Sequence, residues 1–197
     1  MNGFEKRASL IKEKIKKTTL DMLRTSDPKR IRIADIAKRA DVSQVTIYNY
    51  FGSKEALLQD VFKSFVDGAV RDFENYMAEK RTLKERIEYI LFREKEAYRD
   101  FPPRLIKEML IEDHELTRYI EELYKEKTIP LTVQMIQEGK DSGEISQDVS
   151  IESVLAMIRL YLSQYETILE MAEQSGDMDR FIKGMVHLFF YGVCGKS

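Results

Sequence analysis

The chain is expected to be all-α, and three observations predict it. Apolar residues recur at three- and four-residue spacing through most of the length instead of alternating. Helix breakers are scarce, with four prolines and nine glycines in 197 residues, while Leu, Ile, Glu, Lys and Met are abundant. Those few breakers, together with Ser, Thr and Asp caps, fall where the periodic stretches end, which divides the chain into about nine helices.

The length allows one domain or two and a substantial buried core. No apolar run reaches the ~18 residues of a membrane span, and residues 1–17 are charged and amphipathic, without the apolar block of a secretory signal. A cytoplasmic location with no membrane partner is therefore expected. The single cysteine, Cys194, excludes an intrachain disulfide framework and any Cys cluster for metal. Net charge is -2, but residues 1–60 hold 13 Lys or Arg against 8 Asp or Glu. A basic end on an acidic body suits a protein that brings only that end near phosphates.

The first helix is expected over residues 5–25, with Ala8, Ile11, Ile15, Thr18, Thr19 and Met22 on one side and Lys12, Lys14, Lys16 and Lys17 elsewhere. Pro28 ends that stretch. Two short helices joined by a tight turn follow over residues 32–51. Ile33, Ile36, Ala37 and Ala40 make one apolar face, small Ala37 permits close crossing, and Asp41 takes the turn position that needs unusual backbone angles. Val42 packs beneath the turn, Ser43 caps the second helix, and Val45, Ile47 and Phe51 are its expected anchors. Gln44, Thr46, Tyr48, Asn49 and Tyr50 then offer amides and hydroxyls at the start and outer face of that helix, where base edges and phosphate oxygens can be met.

Gly52 stops this helix and Ser53 caps the next, which runs to about residue 80 with Leu58, Phe62, Phe65, Ala69, Phe73 and Tyr76 at helical spacing. Lys54 stands at its amino terminus, a seat for phosphate. Thr82 and Glu85 form a capping box opening a helix to about residue 99. Pro102 and Pro103 separate it from a short helix over residues 104–112. A longer helix follows over residues 115–140, with a kink expected at Thr128-Ile129-Pro130. Ser150 caps a helix to about residue 175, and Asp177 caps the last one. The apolar stripes of these two helices are too wide for one neighbour, so pairing of two copies through residues 150–175 and 177–193 is expected.

Residues 32–58 resemble the amino-terminal DNA-binding module of the TetR family of one-component transcriptional repressors. The matching segments are Asp35-Ile36-Ala37, Val42-Ser43, Thr46-Ile47-Tyr48-Asn49-Tyr50-Phe51 and Ser53-Lys54-Glu55-Ala56-Leu57-Leu58. Arg32 departs from the family's usual capping Thr and Asp41 from its usual turn Gly. The resemblance implies a three-helix DNA-binding domain with a helix-turn-helix in residues 1–52 and a helical effector-binding and dimerisation domain in residues 53–197. It also implies a homodimer on a palindromic operator in double-stranded DNA, released by a small molecule. Gln44, Thr46 and Tyr48 are then assigned to the major groove, and Ser43, Asn49, Tyr50, Lys54 and Arg32 to phosphates. Phe62, Phe65, Met109, Tyr124, Tyr161 and Tyr165 are the candidate walls of an effector pocket for an apolar or amphipathic ligand.

An enzyme is not expected. Two histidines, one cysteine, no Gly-rich phosphate loop and no nucleophile motif leave only carboxylates for catalysis. Glu112-Asp113-His114-Glu115 is better placed for helix capping than for metal, so neither a metal nor a cofactor is assigned. The competing class is a DNA-bound adaptor controlled by a protein partner without a ligand.

Overall fold

The computed structural model describes residues 3–92 and 113–193, and the regular elements among them are all helical. In chain order these are α1 (Gly3–Leu23), α2 (Ile33–Ala40), α3 (Gln44–Phe51), α4 (Lys54–Ala78) and α5 (Leu83–Phe92). After the undescribed stretch come α6 (His114–Leu123), a π-helical turn (Tyr124–Thr128), α7 (Ile129–Asp141), α8 (Ile151–Ser163), α9 (Tyr165–Gln174) and α10 (Met178–Val193). The short helix expected over residues 104–112 and the end of the one expected to reach residue 99 lie outside the described residues. Among the described residues, no helix is long and apolar enough to cross a membrane.

The described residues gather into two compact units, one of residues 3–69 with 113–120, the other of residues 70–92 with 121–193. In the first, Ile15, Met22 and Leu23 of α1 meet Ile33, Ile36, Ala37 and Ala40 of α2, Ile47 of α3, and Leu57, Val61 and Phe62 of α4. Leu116 of α6 completes this core from far along the chain. Polar ties hold α6 there. Asp113 caps it by accepting from the Leu116 N–H at 3.0 Å and is also hydrogen-bonded by Gln59, while the Tyr119 hydroxyl donates to Asp67. The cap and the Gln59 amide favour the Asp113 carboxylate, whose pKa lies below the usual range.

In the second unit, Phe73 and Met77 from the end of α4 join Leu83, Ile87 and Leu91 of α5, Met135 and Ile136 of α7, Val154 and Ile158 of α8, and Phe189 of α10. The capping box forms as expected: the Glu85 N–H donates to Thr82 Oγ1 at 3.2 Å and the Thr82 N–H to Glu85 Oε2 at 2.8 Å. Gly139 accommodates a close approach, because a Cβ there would stand 2.9 Å from Ile145 Cδ1 and 3.0 Å from Leu83 Cδ2, so those side chains would have to shift. The Lys140 ammonium donates to the carbonyls of Gln147 and Val149 and fastens the α7–α8 connection.

Two helices differ from expectation. The stretch expected as one helix over residues 150–175 is divided at Gln164, whose φ of -108° and ψ of 16° leave the helical basin for one residue. There the Ser163 hydroxyl donates to the Leu160 carbonyl at 2.9 Å, and the Gln164 N–H is shared between the Leu160 and Tyr161 carbonyls. Local bonding of this kind competes with the helical ladder while leaving the apolar periodicity intact, so the pattern of residues carries no sign of it. The kink expected at residues 128–130 takes the form of the π turn, in which the Ile129 N–H reaches back five residues to the Tyr124 carbonyl. The wider turn delivers the chain to Pro130, which has no N–H to continue an α-helical ladder.

The bond to the Asp67 carboxylate, helped by burial, pushes the Tyr119 phenol up to about 12. An unfolded tyrosine titrates near ~10. A raised folded-state value means that this bond contributes fully below about pH 10 and is lost as the pH climbs through about 12. Tyr119→Phe is therefore expected to lower stability in urea by at most about 1 kcal/mol at neutral pH, with the gap to wild type narrowing only above about pH 10. A gap that narrows already between pH 7 and 9 would show that the phenol is not held by the carboxylate.

Candidate nucleic-acid interface

The geometry of α2 and α3 is fixed at three residues between them. Asp41 adopts left-handed angles, φ 52° and ψ 54°, and it is the one non-glycine residue with positive φ among the described residues. The Val42 N–H then closes on the Ala37 carbonyl at 3.0 Å. Ala37 is only 4 % exposed, so the small side chain does sit at the crossing. Ser43 returns to extended angles and caps α3, accepting from the Thr46 N–H at 3.0 Å. Gly52, with φ 78°, closes the other end of α3 by donating to the Tyr48 carbonyl at 2.8 Å.

Only Ile47 of α3 is fully buried, and Phe51 one turn later is half-buried against the same core. Gln44, Val45, Tyr48 and Asn49 are exposed, and their spacing puts them on one outward face. Val45 is the correction here. It was expected to anchor the helix, but it is 65 % exposed because it lies two residues from Ile47, roughly opposite it on the helical wheel. The wheel alone would have placed it outward had Ile47 been taken as the fixed point. Tyr48 is 49 % exposed, whereas Tyr50 is half-buried, edge-on to Phe51 with ring centroids 6.5 Å apart.

The hydroxyls of Ser43 and Thr46 lie 2.8 Å apart and either can donate. Whichever does, the pair keeps one hydroxyl proton to offer outward, so capping and phosphate contact are compatible. Arg32 precedes α2 without capping it, and its Nε donates to Asp35 Oδ2 at 3.2 Å while the side chain stays largely in water. At the start of α4 the Ala56 N–H is taken by Ser53 Oγ at 3.0 Å. The Glu55 carboxyl is held below its usual range by its own backbone N–H and then by the Ser53 hydroxyl. A phosphate at this helix end therefore depends on the Lys54 ammonium more than on the whole set of amino-terminal donors.

Two lysines of α1 also lie beside this surface. Lys14 Nζ is 3.9 Å from Asp41 Oδ2 at the turn, and Lys12 Nζ lies 5.6 Å from the Tyr50 ring centroid. Positive charge thus stands beside both ends of α3. Uncharged hydrogen-bonding side chains on the outward face, flanked by cations, are what a duplex requires: base edges in the groove and phosphates on either side.

Residues 17–61 match the model of the bacterial regulatory proteins of the tetR family. This chain carries the DNA-binding module of a TetR-family transcriptional regulator. The regulator is 25 % identical over 168 residues to the fatty acid metabolism regulator protein of Bacillus subtilis (strain 168), a span of 84 % of this chain and 86 % of that one. Among solved structures, FadR from Bacillus subtilis in complex with stearoyl-CoA has a TM-score of 0.62 at 22 % identity, covering 94 % of this chain and 99 % of that one. FadR from Bacillus halodurans has a TM-score of 0.65 at 22 % identity, covering 92 % and 98 %. At that identity the two structures establish the shared fold.

Among the described residues, the regulator's candidate effector residues enter more than one core. Phe62 and Phe65, with ring centroids 6.3 Å apart, belong to the core of the first unit. Tyr161 lies edge-on to Phe189 at 5.7 Å in the second, and burial raises its phenol pKa. Tyr124 is half-buried in the π turn. Met109 and the Tyr165 side chain lie outside the described residues.

Left-handed angles cost an L-residue about 1–2 kcal/mol, less for Asp than for most. Asp41→Gly is therefore expected to raise the regulator's stability by up to about 1 kcal/mol, and Asp41→Val to lower it by more than that. Urea denaturation compares the three. Equal stability of the Gly and Val variants would show that the turn does not hold residue 41 in that basin.

Proposed function

We propose that the regulator is a repressor that acts as a homodimer, each copy laying α3 into the major groove of one half of a roughly palindromic operator, and that a small amphipathic molecule releases it. The observation that carries this reading is the outward face of α3: Gln44, Tyr48 and Asn49 exposed together on a helix capped at both ends. Pairing of two copies is supported by Leu160, Met171 and Leu188, which α8, α9 and α10 leave more than half exposed. Two recognition helices about 34–36 Å apart would match one turn of DNA. DNA recognition is assigned to residues 1–52, and effector binding and dimerisation to residues 53–197. The first compact unit extends beyond residue 52 because the first half of α4 and residues 113–120 share its core. A chromosomal operator places the action in the cytoplasm.

The chemistry proposed for the effector is that of a long-chain acyl-CoA thioester, supported by the similarity to the Bacillus subtilis fatty acid metabolism regulator and by stearoyl-CoA in the FadR complex. Tyr124 and Tyr161, half-buried with polar tips, suit such a ligand better than Phe62, which is already enclosed at 1 % exposure. The ligand must favour the arrangement that does not fit DNA, since equal affinity for both would shift nothing.

Selection from a random duplex pool should return a palindromic site bound by a species that sediments as a dimer. Long-chain acyl-CoA should then release the site where free CoA does not. Binding that no acyl-CoA alters, with a protein partner co-purifying, would favour the adaptor reading instead. Lys54→Ala is expected to weaken binding to every sequence and to reduce the slope of log K against log salt by about one per copy. If it altered sequence preference and left the slope unchanged, its assignment to phosphate would be wrong.

A further inference from the structure

We propose that Val45 reads thymine through the 5-methyl group, so that each operator half-site carries a T·A pair beneath the first turn of α3. This rests on the DNA-binding reading above. Val45 follows Gln44 and is 65 % exposed on the same face as Tyr48 and Asn49. Exposure alone would mean little, since single apolar residues on a surface are ordinary. Its place decides the matter: at the amino-terminal turn of a helix docked in the major groove, side chains meet base edges and lose their water. The one methyl group among the edges there is thymine's. Valine against the N7 and O6 of guanine or the N4 amine of cytosine would strip those atoms of water without replacing their hydrogen bonds, which is costly. Against thymine, two apolar surfaces leave water together. Gln44, the adjoining side chain, can pair with the N6 and N7 of adenine, so the two side by side favour an A·T-containing step.

The test uses the full-length protein on its selected operator, with thymine replaced by uracil one position at a time, which removes the methyl and nothing else from the base. Wild type should lose about fourfold in affinity at one position per half-site, the worth of one buried methyl group, and bind uracil as well as thymine elsewhere on α3's footprint. Val45→Ala, whose shorter side chain draws back from the methyl, should lose most of that discrimination. Alanine is the stronger helix former, and a thermal melt followed by circular dichroism verifies that the variant is folded. Wild type indifferent to uracil everywhere would overturn the assignment without any variant, as would a folded Val45→Ala that keeps the full discrimination; in both cases DNA binding itself stands. A selection that enriches no duplex would remove the DNA-binding reading, and the Val45 assignment with it.

Discussion

The outward face of α3 depends on one backbone constraint, the left-handed turn at Asp41 that closes Val42 onto Ala37. A chain that must leave one helix and start another within three residues has few routes that avoid burying an unpaired N–H or carbonyl. Here the turn uses the last carbonyls of α2, Ser43 takes up a free N–H of α3, and Ala37 is small enough for the two helices to cross. Ile47 in the core then sets the rotation of α3. With that rotation fixed, Gln44, Val45, Tyr48 and Asn49 have no inward direction left to them, and the surface they form is a consequence of how the other side is packed.

Support for that unit comes from two distant parts of the chain. The lysines of α1 flank the turn and Tyr50, and residues 113–120 return to α4 through Leu116, Asp113 and Tyr119. The apolar contact supplies most of the attachment, because a fully enclosed leucine outweighs partly exposed hydrogen bonds. The polar contacts set the register in which α6 lies along α4. A ligand that changed the position of α6 would therefore act on residues that share a core with the DNA-binding helices, without any separate relay.

The second unit follows different rules. Its helices are joined by short connections whose polar groups are satisfied locally, by the Thr82–Glu85 box, by Lys140 on the carbonyls of the α7–α8 connection, and by Ser150 capping α8. Its last three helices keep large apolar side chains in water. A face of that kind is stable only weakly by itself, which supports the proposed pairing of two copies.

Much of this was legible in the residues. Helix periodicity, the caps at Ser43, Ser53 and Thr82, the turn at Asp41 and the crossing at Ala37 are local choices, decided by side-chain chemistry within a few positions, and each is present as expected. Three things were not legible there. Val45 faces outward because the core claims Ile47, and two β-branched residues at that spacing cannot both point inward. The helix expected over residues 150–175 is broken at Gln164 by a competition between backbone partners that periodicity does not register. The aromatic candidates for an effector site are divided between two cores because similar apolar residues at helical spacing carry no mark of which core they will enter. The sequence by itself determined most of the described helix ends and the chemistry of the outward face of α3; packing determined which side of each helix is buried, since burial depends on neighbours brought together from distant parts of the chain.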